Sequence, residues 1–290
     1  MKKFIVFAAT AALLLSFVSC NNKIDYGGNT GPQAKIEKAK NADDAKKITV
    51  KSGTAADQGY QQIEFTDGGR YIITRSSQET KADDNTEILT GTYTVQNNVY
   101  VLDGFGSIEF GSNGSFTIKL EGGTTVTGTG EEEPKLPSSD FANAIAHTWK
   151  IDKVDLSVNA DGKNIGFVKD GCNLEQIGNE ILDQAKKLGV NVNVNVDKLK
   201  GYNVTSVSFT TSSTFIVEFS GAEPFKANVS GVSGFNFKYK LEIGTSNEIL
   251  NAEADCKFEP QTEKTAWLTV KVNSDDFNGK IILMMTIIDK

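Results

Sequence analysis

Histidine, cysteine and paired carboxylates are the side chains with which this chain could do chemistry. His147 is the only histidine, so one chain holds neither a histidine metal cluster nor a multi-histidine acid–base set. A Ser/His/Asp triad would have to recruit His147, and no Gly-x-Ser-x-Gly elbow accompanies it. Its place near the start of a predicted strand indicates a structural or surface role.

Carboxylate pairs need no sequence motif, because two acids that meet in space are enough for glycoside hydrolysis. Most acids here stand in turns or charge runs, such as Asp83-Asp84, Glu131 to Glu133 and Asp275-Asp276. Solvation explains these runs better than catalysis does, and the last of them misses the ligand spacing of a calcium loop. We therefore predict a protein that is not an enzyme and has no metal or other cofactor, with a carboxylate-pair hydrolase as the least favoured alternative.

The three cysteines divide into one near the start of the chain, Cys20, and two later ones, Cys172 and Cys256. A disulfide between the later two would close a long loop, worth about 4 to 5 kcal/mol in the chain-entropy model. The alternative is a pair of buried thiols that pack as small hydrophobic groups. The sequence leaves both open.

Two tryptophans are the candidate ligand-contact aromatics, because an exposed indole can stack on a sugar ring. Trp149 falls in a predicted strand, and filling the end of a barrel is its favoured role. Trp267 has the opposite parity to the apolar positions Ala266, Leu268 and Val270, so it is the better candidate for an exposed ring.

Charge argues against nucleic-acid binding. The net charge is -7 and the pI is near 5.0, whereas a phosphate-binding face needs clustered lysine and arginine. Arg70 and Arg75 are the only arginines, so an arginine cluster for bidentate anion recognition is not available.

The first twenty residues, MKKFIVFAATAALLLSFVSC, have the composition of a secretory signal peptide. Lys2 and Lys3 supply the positive region, and Phe4 to Leu15 an apolar run that is too short for a transmembrane helix. The ending Phe17-Val18-Ser19-Cys20 resembles a bacterial lipobox. The resemblance implies cleavage before Cys20, a diacylglyceryl group on its sulfur and an acyl chain such as palmitate on the new N-terminus.

The rest of the chain is predicted to hold a tether and two β domains. Residues 1–19 are the signal peptide, 20–47 a lipidated tether and 48–130 an N-terminal β domain of short antiparallel strands. The charged and proline-bearing segment 131–140 is the expected linker. Residues 141–290 form the second domain, whose helix is predicted over Cys172 to Leu188 from its apolar spacing and from the glycine that follows.

One hairpin pattern occurs three times, as IEFTDGGRYII from Ile63, IEFGSNGSFTI from Ile108 and VSFTTSSTFIV from Val207. Each copy has an aliphatic residue, a Phe two places later, a polar turn, an aromatic residue at the ninth place and an aliphatic residue at the eleventh. The two aromatic residues share parity, so each pair is predicted to point into one core. An aromatic ligand platform is the alternative.

Four features carry a family resemblance. They are the start of the second domain at His147 to Asp152, the Gly171-Cys172 before the helix, the hairpin VSFTTSSTFIVEF and the lipobox cysteine. The chain resembles the lipocalin-like, or calycin-type, domains of unknown function in Bacteroides-type outer-membrane lipoproteins. The resemblance implies a mostly β protein whose second domain is a lipocalin-like β-barrel with one α-helix. His147 replaces the glycine of the lipocalin Gly-x-Trp motif, and no late arginine covers the tryptophan.

The expected function is that of a membrane-anchored, non-catalytic lipoprotein that binds a small apolar ligand, a glycan or an envelope partner. The alternative is a structural or adaptor lipoprotein that docks onto an envelope protein complex through a sheet edge or an exposed patch. The expected location is the cell envelope, with the lipid on Cys20 in the outer membrane. The sequence leaves open which face of that membrane the protein occupies.

Overall fold

The structure is a computed structural model that describes residues 34–76, 86–160, 163–190, 196–233, 236–245, 248–274 and 277–290. Its residues form two compact units. The barrel unit consists of Lys38–Thr148, Ser208–Ser213 and Ile288–Lys290. The sheet unit consists of residues 34–37 with Trp149–Val207 and Thr214–Ile287.

The barrel unit contains a closed, antiparallel barrel in which each strand pairs with the next and β1 pairs with β8. Ile48 stands opposite Glu132 at the closing seam. The strands are β1 Lys46–Ser52, β2 Tyr60–Phe65, β3 Arg70–Ser76, β4 Thr86–Gln96, β5 Val99–Leu102, β6 Gly106–Phe110, β7 Ser115–Leu120 and β8 Thr125–Glu132. Helix α1, Thr54–Asp57, connects the first two strands, and helix α2, Asp140–Ile145, follows the barrel.

Turn chemistry sets the register of the barrel hairpins. Asn97 and Asn98 have φ values of 51° and 66°, the left-handed conformation that a two-residue hairpin turn requires and that asparagine tolerates. Tyr93 consequently pairs with Leu102, and Val95 with Tyr100. This is the hairpin that the alternation of apolar residues predicts.

Aromatic and aliphatic side chains pack the interior of the barrel. The Phe65 ring lies 4.1 Å from Tyr100 and 5.0 Å from Tyr93, measured between ring centroids. The Phe110 ring is 5.4 Å from Tyr100 and 6.3 Å from Phe116. The fully buried members of this core include Ile63, Phe65, Ile73, Ile108, Ile118 and Val126.

The sheet unit is built on a nine-stranded antiparallel sheet with the strand order β10-β9-β11-β12-β13-β14-β15-β16-β17. It curls so that β17 also pairs with β9, where Ile287 stands opposite Trp149. The strands are β9 Thr148–Ala160, β10 Lys163–Asp170, β11 Asn203–Phe209, β12 Thr214–Ser220, β13 Phe225–Ser233, β14 Asn236–Thr245, β15 Glu248–Pro260, β16 Thr265–Ser274 and β17 Phe277–Ile287.

Helix α3, Leu174–Leu188, is the one long helix of the described residues. The Asn173 side chain accepts a hydrogen bond from the Gln176 N–H at its start, and Gly189 ends it in the left-handed conformation, as helix caps commonly do. Its buried face consists of Leu174, Ile177, Gly178, Ile181 and Ala185. The predicted apolar stripe is therefore the packed side, apart from Leu182, which is half-buried.

The same helix covers the free edge of β10. Gln184 Oε1 accepts a hydrogen bond of 3.2 Å from the Gly166 N–H. Lys169 Nζ lies 2.7 Å from Oε2 of Glu180, which is one helical turn before Gln184. Because an uncovered edge strand invites pairing with other chains, α3 protects this part of the sheet.

The predicted fold class is confirmed: the protein is mostly β, with two antiparallel β domains, the second of which is a curled sheet with one long helix. The first domain, predicted only as a set of short antiparallel strands, is a closed barrel. The boundaries of the two units differ from the predicted linker, 131–140, and the predicted second domain, 141–290. Glu131 and Glu132 end β8, and α2 belongs to the barrel unit. No helix of the described residues is long and apolar enough to cross a membrane.

Candidate functional site

His147 is buried in the barrel unit, with about 4 % of its surface exposed. Its Nδ1 atom hydrogen-bonds to Asp289 Oδ2 at 2.6 Å. The other oxygen, Asp289 Oδ1, accepts a hydrogen bond of 2.8 Å from the Thr148 N–H. The Asp289 carboxylate thus orients the imidazole and binds the adjacent backbone. Because His147 is buried, this arrangement is structural.

Asp67, in the turn between β2 and β3, is the second carboxylate of this region and is about 1 % exposed. Thr211 donates to it twice, from its backbone N–H to Oδ2 at 2.9 Å and from its hydroxyl to Oδ1 at 3.0 Å. Burial raises the pKa of Asp67, and the hydrogen bonds from Thr211 oppose that rise.

Glu64 and Thr148 complete this group of polar side chains. The Thr210 hydroxyl donates to Glu64 Oε1 at 2.9 Å, and the hydroxyls of Thr148 and Ser208 share a hydrogen bond of 3.1 Å. We call the whole group the turn cluster. It consists of Glu64, Thr66, Asp67, His147, Thr148, Ser208, Thr210, Thr211, Ser212 and Asp289.

Close backbone packing holds the β2–β3 turn within this cluster. A Cβ atom on Gly68 would lie 2.6 Å from the Thr148 backbone nitrogen and 2.8 Å from Asp289 Oδ1. Gly69 has a φ of 82°, which favours glycine. The Lys290 N–H donates to the Gly68 carbonyl at 3.2 Å, so the segment Ile288–Lys290 is fastened to the same turn.

The turn cluster joins two copies of the repeated hairpin. Asp67 and Thr211 both occupy the fifth place of their copies, IEFTDGGRYII and VSFTTSSTFIV. Gly69 and Ser213, both at the seventh place, have positive φ values of 82° and 63°. The two turns thus have the same shape at this place and meet through equivalent positions. The sequence repeat is the signal that relates the two turns, but it does not mark Glu64 or Asp67 as buried, and Asp289 lies outside it.

The predicted ligand-contact aromatics, Trp149 in β9 and Trp267 in β16, are not members of the turn cluster. Trp149 is fully buried, and its ring packs edge-on against Phe258 with 5.5 Å between centroids. Its candidate role as an exposed ligand contact is therefore corrected to one in the core. Trp267 is half-buried and stands opposite Met284.

Cys172 and Cys256 are free, buried thiols, which corrects the candidate disulfide. Cys172 lies beside β11, where its carbonyl accepts a hydrogen bond from the Val204 N–H, whereas Cys256 stands in β15 between Phe237 and Val270. Burial raises the pKa of Cys172 to about 12 and that of Cys256 further. Both sulfurs are inert hydrophobic groups in this state.

Cys20 and the acidic runs at 83–84 and 275–276 lie outside the described residues. Within the described ranges, no three His, Cys, Asp or Glu side chains are grouped so that they could hold a metal ion. The chemistry that the described site can perform is hydrogen bonding between its own buried groups.

No family model and no curated protein matches the chain. Among solved structures, transferrin-binding protein B from Neisseria meningitidis is similar at 8% identity and a TM-score of 0.25, with 79% of this chain and 52% of that chain covered. A variant of the same protein from Haemophilus parasuis is similar at 10% identity and a TM-score of 0.27, covering 78% and 53%.

A protein of unknown function from the DUF3598 family of Nostoc punctiforme is similar at 8% identity and a TM-score of 0.23, with 84% of this chain and 95% of that chain covered. The chain spans about half the length of the two transferrin-binding proteins. The strand pairing of this chain itself defines its class, an antiparallel β protein with a closed barrel and a curled sheet.

Proposed function

We propose that the protein is a membrane-anchored, non-catalytic lipoprotein that binds its partner on an outer surface. The signal-like leader and the lipobox ending at Cys20 support the anchor. Three acyl chains, each contributing about 0.8 kcal/mol per buried CH₂, would hold the chain on a membrane far more firmly than a single chain. The outer membrane of the cell envelope is the proposed location.

The filled interior of the barrel carries the binding part of the proposal. Phe65, Tyr93, Tyr100 and Phe116 meet inside the barrel, where a carrier of small molecules would keep a cavity. Closure also leaves the barrel without a free sheet edge. A partner of the barrel unit must therefore bind its loops or its outer face, which suits a glycan or an envelope protein.

Burial of the titratable groups supports a non-catalytic role. His147, Glu64 and Asp67 are each at least nine-tenths buried, and their hydrogen bonds run to neighbouring hydroxyls, backbone groups and Asp289. A general acid or base must reach the proton it transfers, and these groups face the protein instead.

The adaptor function remains the second candidate, and the edge of β10 bears on how such docking would occur. Because the Gly166 N–H is already hydrogen-bonded to Gln184, addition of a partner strand there would have to displace α3. Docking through loops or an exposed face is the route that leaves the described contacts intact.

Two measurements test the proposal. Metabolic labelling with an alkyne fatty acid should label the full-length protein and leave Cys20→Ser unlabelled and released from membranes, whereas Cys172→Ser should behave as wild type. Native mass spectrometry of the detergent-extracted protein should show no apolar ligand beyond the anchor, and cross-linking in cells or a glycan array should identify a surface partner.

Labelling that persists in Cys20→Ser contradicts the anchor. A stoichiometric apolar molecule that co-purifies with the protein contradicts surface binding and favours a carrier. One dominant cross-linked envelope protein favours the adaptor function, and a measured glycan affinity without such a protein favours glycan binding.

A further inference from the structure

The contact between Asp67 and the β11–β12 turn combines a buried acid with a partner that can exchange donor and acceptor roles. The Thr211 hydroxyl lies 3.0 Å from Asp67 Oδ1 and 3.2 Å from Oδ2, while the Thr211 N–H points at Oδ2. A hydroxyl donates to an ionised carboxylate and can accept from a protonated one. Both hydrogen bonds can therefore form in either protonation state of Asp67.

The two protonation states differ in the cost of burial. An ionised carboxylate loses its hydration when the turn covers it, whereas a carboxylic acid loses much less. The titratable groups that act on Asp67 are Tyr93 in β4, whose hydroxyl donates to the Thr66 carbonyl of the same turn, and Lys135 on the segment before α2. The other ionisable side chains of the surrounding segments are Glu64 and Arg70 on its own hairpin and the hydrogen-bonded pair His147 and Asp289. Lys135 attracts the carboxylate, but burial outweighs this attraction.

We propose that the turn Ser208–Ser213 is a proton-linked clasp on the barrel unit, which takes up one proton at Asp67 as it closes. Acid therefore holds the clasp, and rising pH weakens it. No bond other than that to the proton changes: solvent supplies the proton to a carboxylate oxygen on closing and receives it back on opening.

The sign follows from linkage. The pKa of Asp67 is raised in the closed state relative to an open, solvated aspartate. The stabilisation by the clasp is therefore complete below the open-state pKa of about 3.9 and is lost as pH rises to the closed-state pKa. Within that window the opening equilibrium changes by up to about tenfold per pH unit, and above it the equilibrium is level.

Amide hydrogen exchange of the full chain measures this equilibrium at the Thr211 N–H, after correction for the intrinsic exchange rate. The protection of Thr211 should fall by up to about tenfold per pH unit above pH 4 and then level off. Asp67→Asn keeps an oxygen for the N–H and an amide for the hydroxyl, so its protection should be independent of pH. Glu109→Gln, on the equivalent exposed hairpin, should keep the wild-type profile.

Level protection in the wild type between pH 4 and pH 8 overturns the proposal. An equal fall in Asp67→Asn does the same, because the titrating group is then another one. If Asp67→Asn does not fold, the carboxyl carbon shift of Asp67 in the wild type decides: a midpoint above about 3.9 supports the clasp, and a midpoint at or below that value overturns it.

Discussion

The hairpins β2–β3 and β6–β7 share one sequence pattern and one barrel but have opposite turn environments. Phe65 pairs with Tyr71 in the first, and Phe110 with Phe116 in the second, so both place their aromatic pair inside. The turn of the first hairpin is buried in the turn cluster. In the second, the turn Ser112–Gly114 is exposed. Strand parity determines which side chains point into the barrel. The segments that cover a turn determine whether its side chains are buried or exposed.

The second position of these two copies shows the same difference. Glu64 is fully buried and accepts a hydrogen bond from Thr210. Glu109 is exposed and lies 3.9 Å from Lys119 across the hairpin. The same residue type is therefore part of a buried network in one copy and a solvated surface charge in the other.

The largest effect is expected from truncating the aromatic core. Phe65→Ala should lower the free energy of unfolding by about 4 kcal/mol, because a fully buried ring leaves a cavity among Tyr93, Tyr100 and Phe110. Phe110→Ala should cost about half as much, because Phe110 is half-buried. Global hydrogen exchange of the barrel amides measures both, and equal costs would contradict the difference in burial.

The second-largest effect on stability is expected from adding a methyl group to the buried β2–β3 turn. Gly68→Ala should destabilise the barrel unit by about 3 kcal/mol, since the new Cβ meets the Thr148 nitrogen at 2.6 Å. The control is Gly122→Ala in the β7–β8 turn, where a Cβ meets nothing within 4 Å. Thermal unfolding should separate the two variants clearly. Similar melting temperatures would mean that the β2–β3 turn moves away at little cost.

Removing the fifth-position side chain compares the two turns directly. Asp67→Ala should cost about 2 kcal/mol, because the Thr211 N–H and hydroxyl lose a buried acceptor. Ser112→Ala, at the equivalent exposed place, should change the unfolding free energy by less than about 0.5 kcal/mol. Chemical denaturation measures both, and an unaffected Asp67→Ala would show that the acceptor is dispensable.

The smallest effect is expected at the exposed charge pair. Glu109→Gln should change stability by less than about 0.5 kcal/mol, because both partners are more than half exposed and salt and water screen such pairs. Denaturation at low and at high salt checks this. A loss above about 1 kcal/mol would indicate that another surface covers the β6–β7 hairpin.

Local patterns predicted the elements of this fold well. The Asn97-Asn98 turn follows from the backbone conformations that asparagine tolerates, and the end of the helix at Gly189 follows from the left-handed conformation that glycine adopts. The pairing of β1 with β8 did not, because contacts between residues distant in sequence have no local signature.

The turn cluster was missed for a related reason. An Asp-Gly-Gly turn predicts a solvated hairpin end, and only the arrival of Thr211 from far along the chain turns Asp67 into a buried acceptor. The free thiols likewise depend on where two distant strands lie. Burial of polar residues is set by long-range packing, which alternation and turn residues do not encode.

The positions of the barrel-unit segments along the chain determine the order in which this unit can fold during synthesis. A chain that emerges from its N-terminus can pair β1 with β8 once Glu132 is available, yet Thr211 and Asp289 arrive much later. Until then the β2–β3 turn carries Asp67 without its donors. Completion of the barrel unit is therefore a late, high-contact-order event, and incomplete β domains of this kind expose apolar surface and strand edges that favour aggregation.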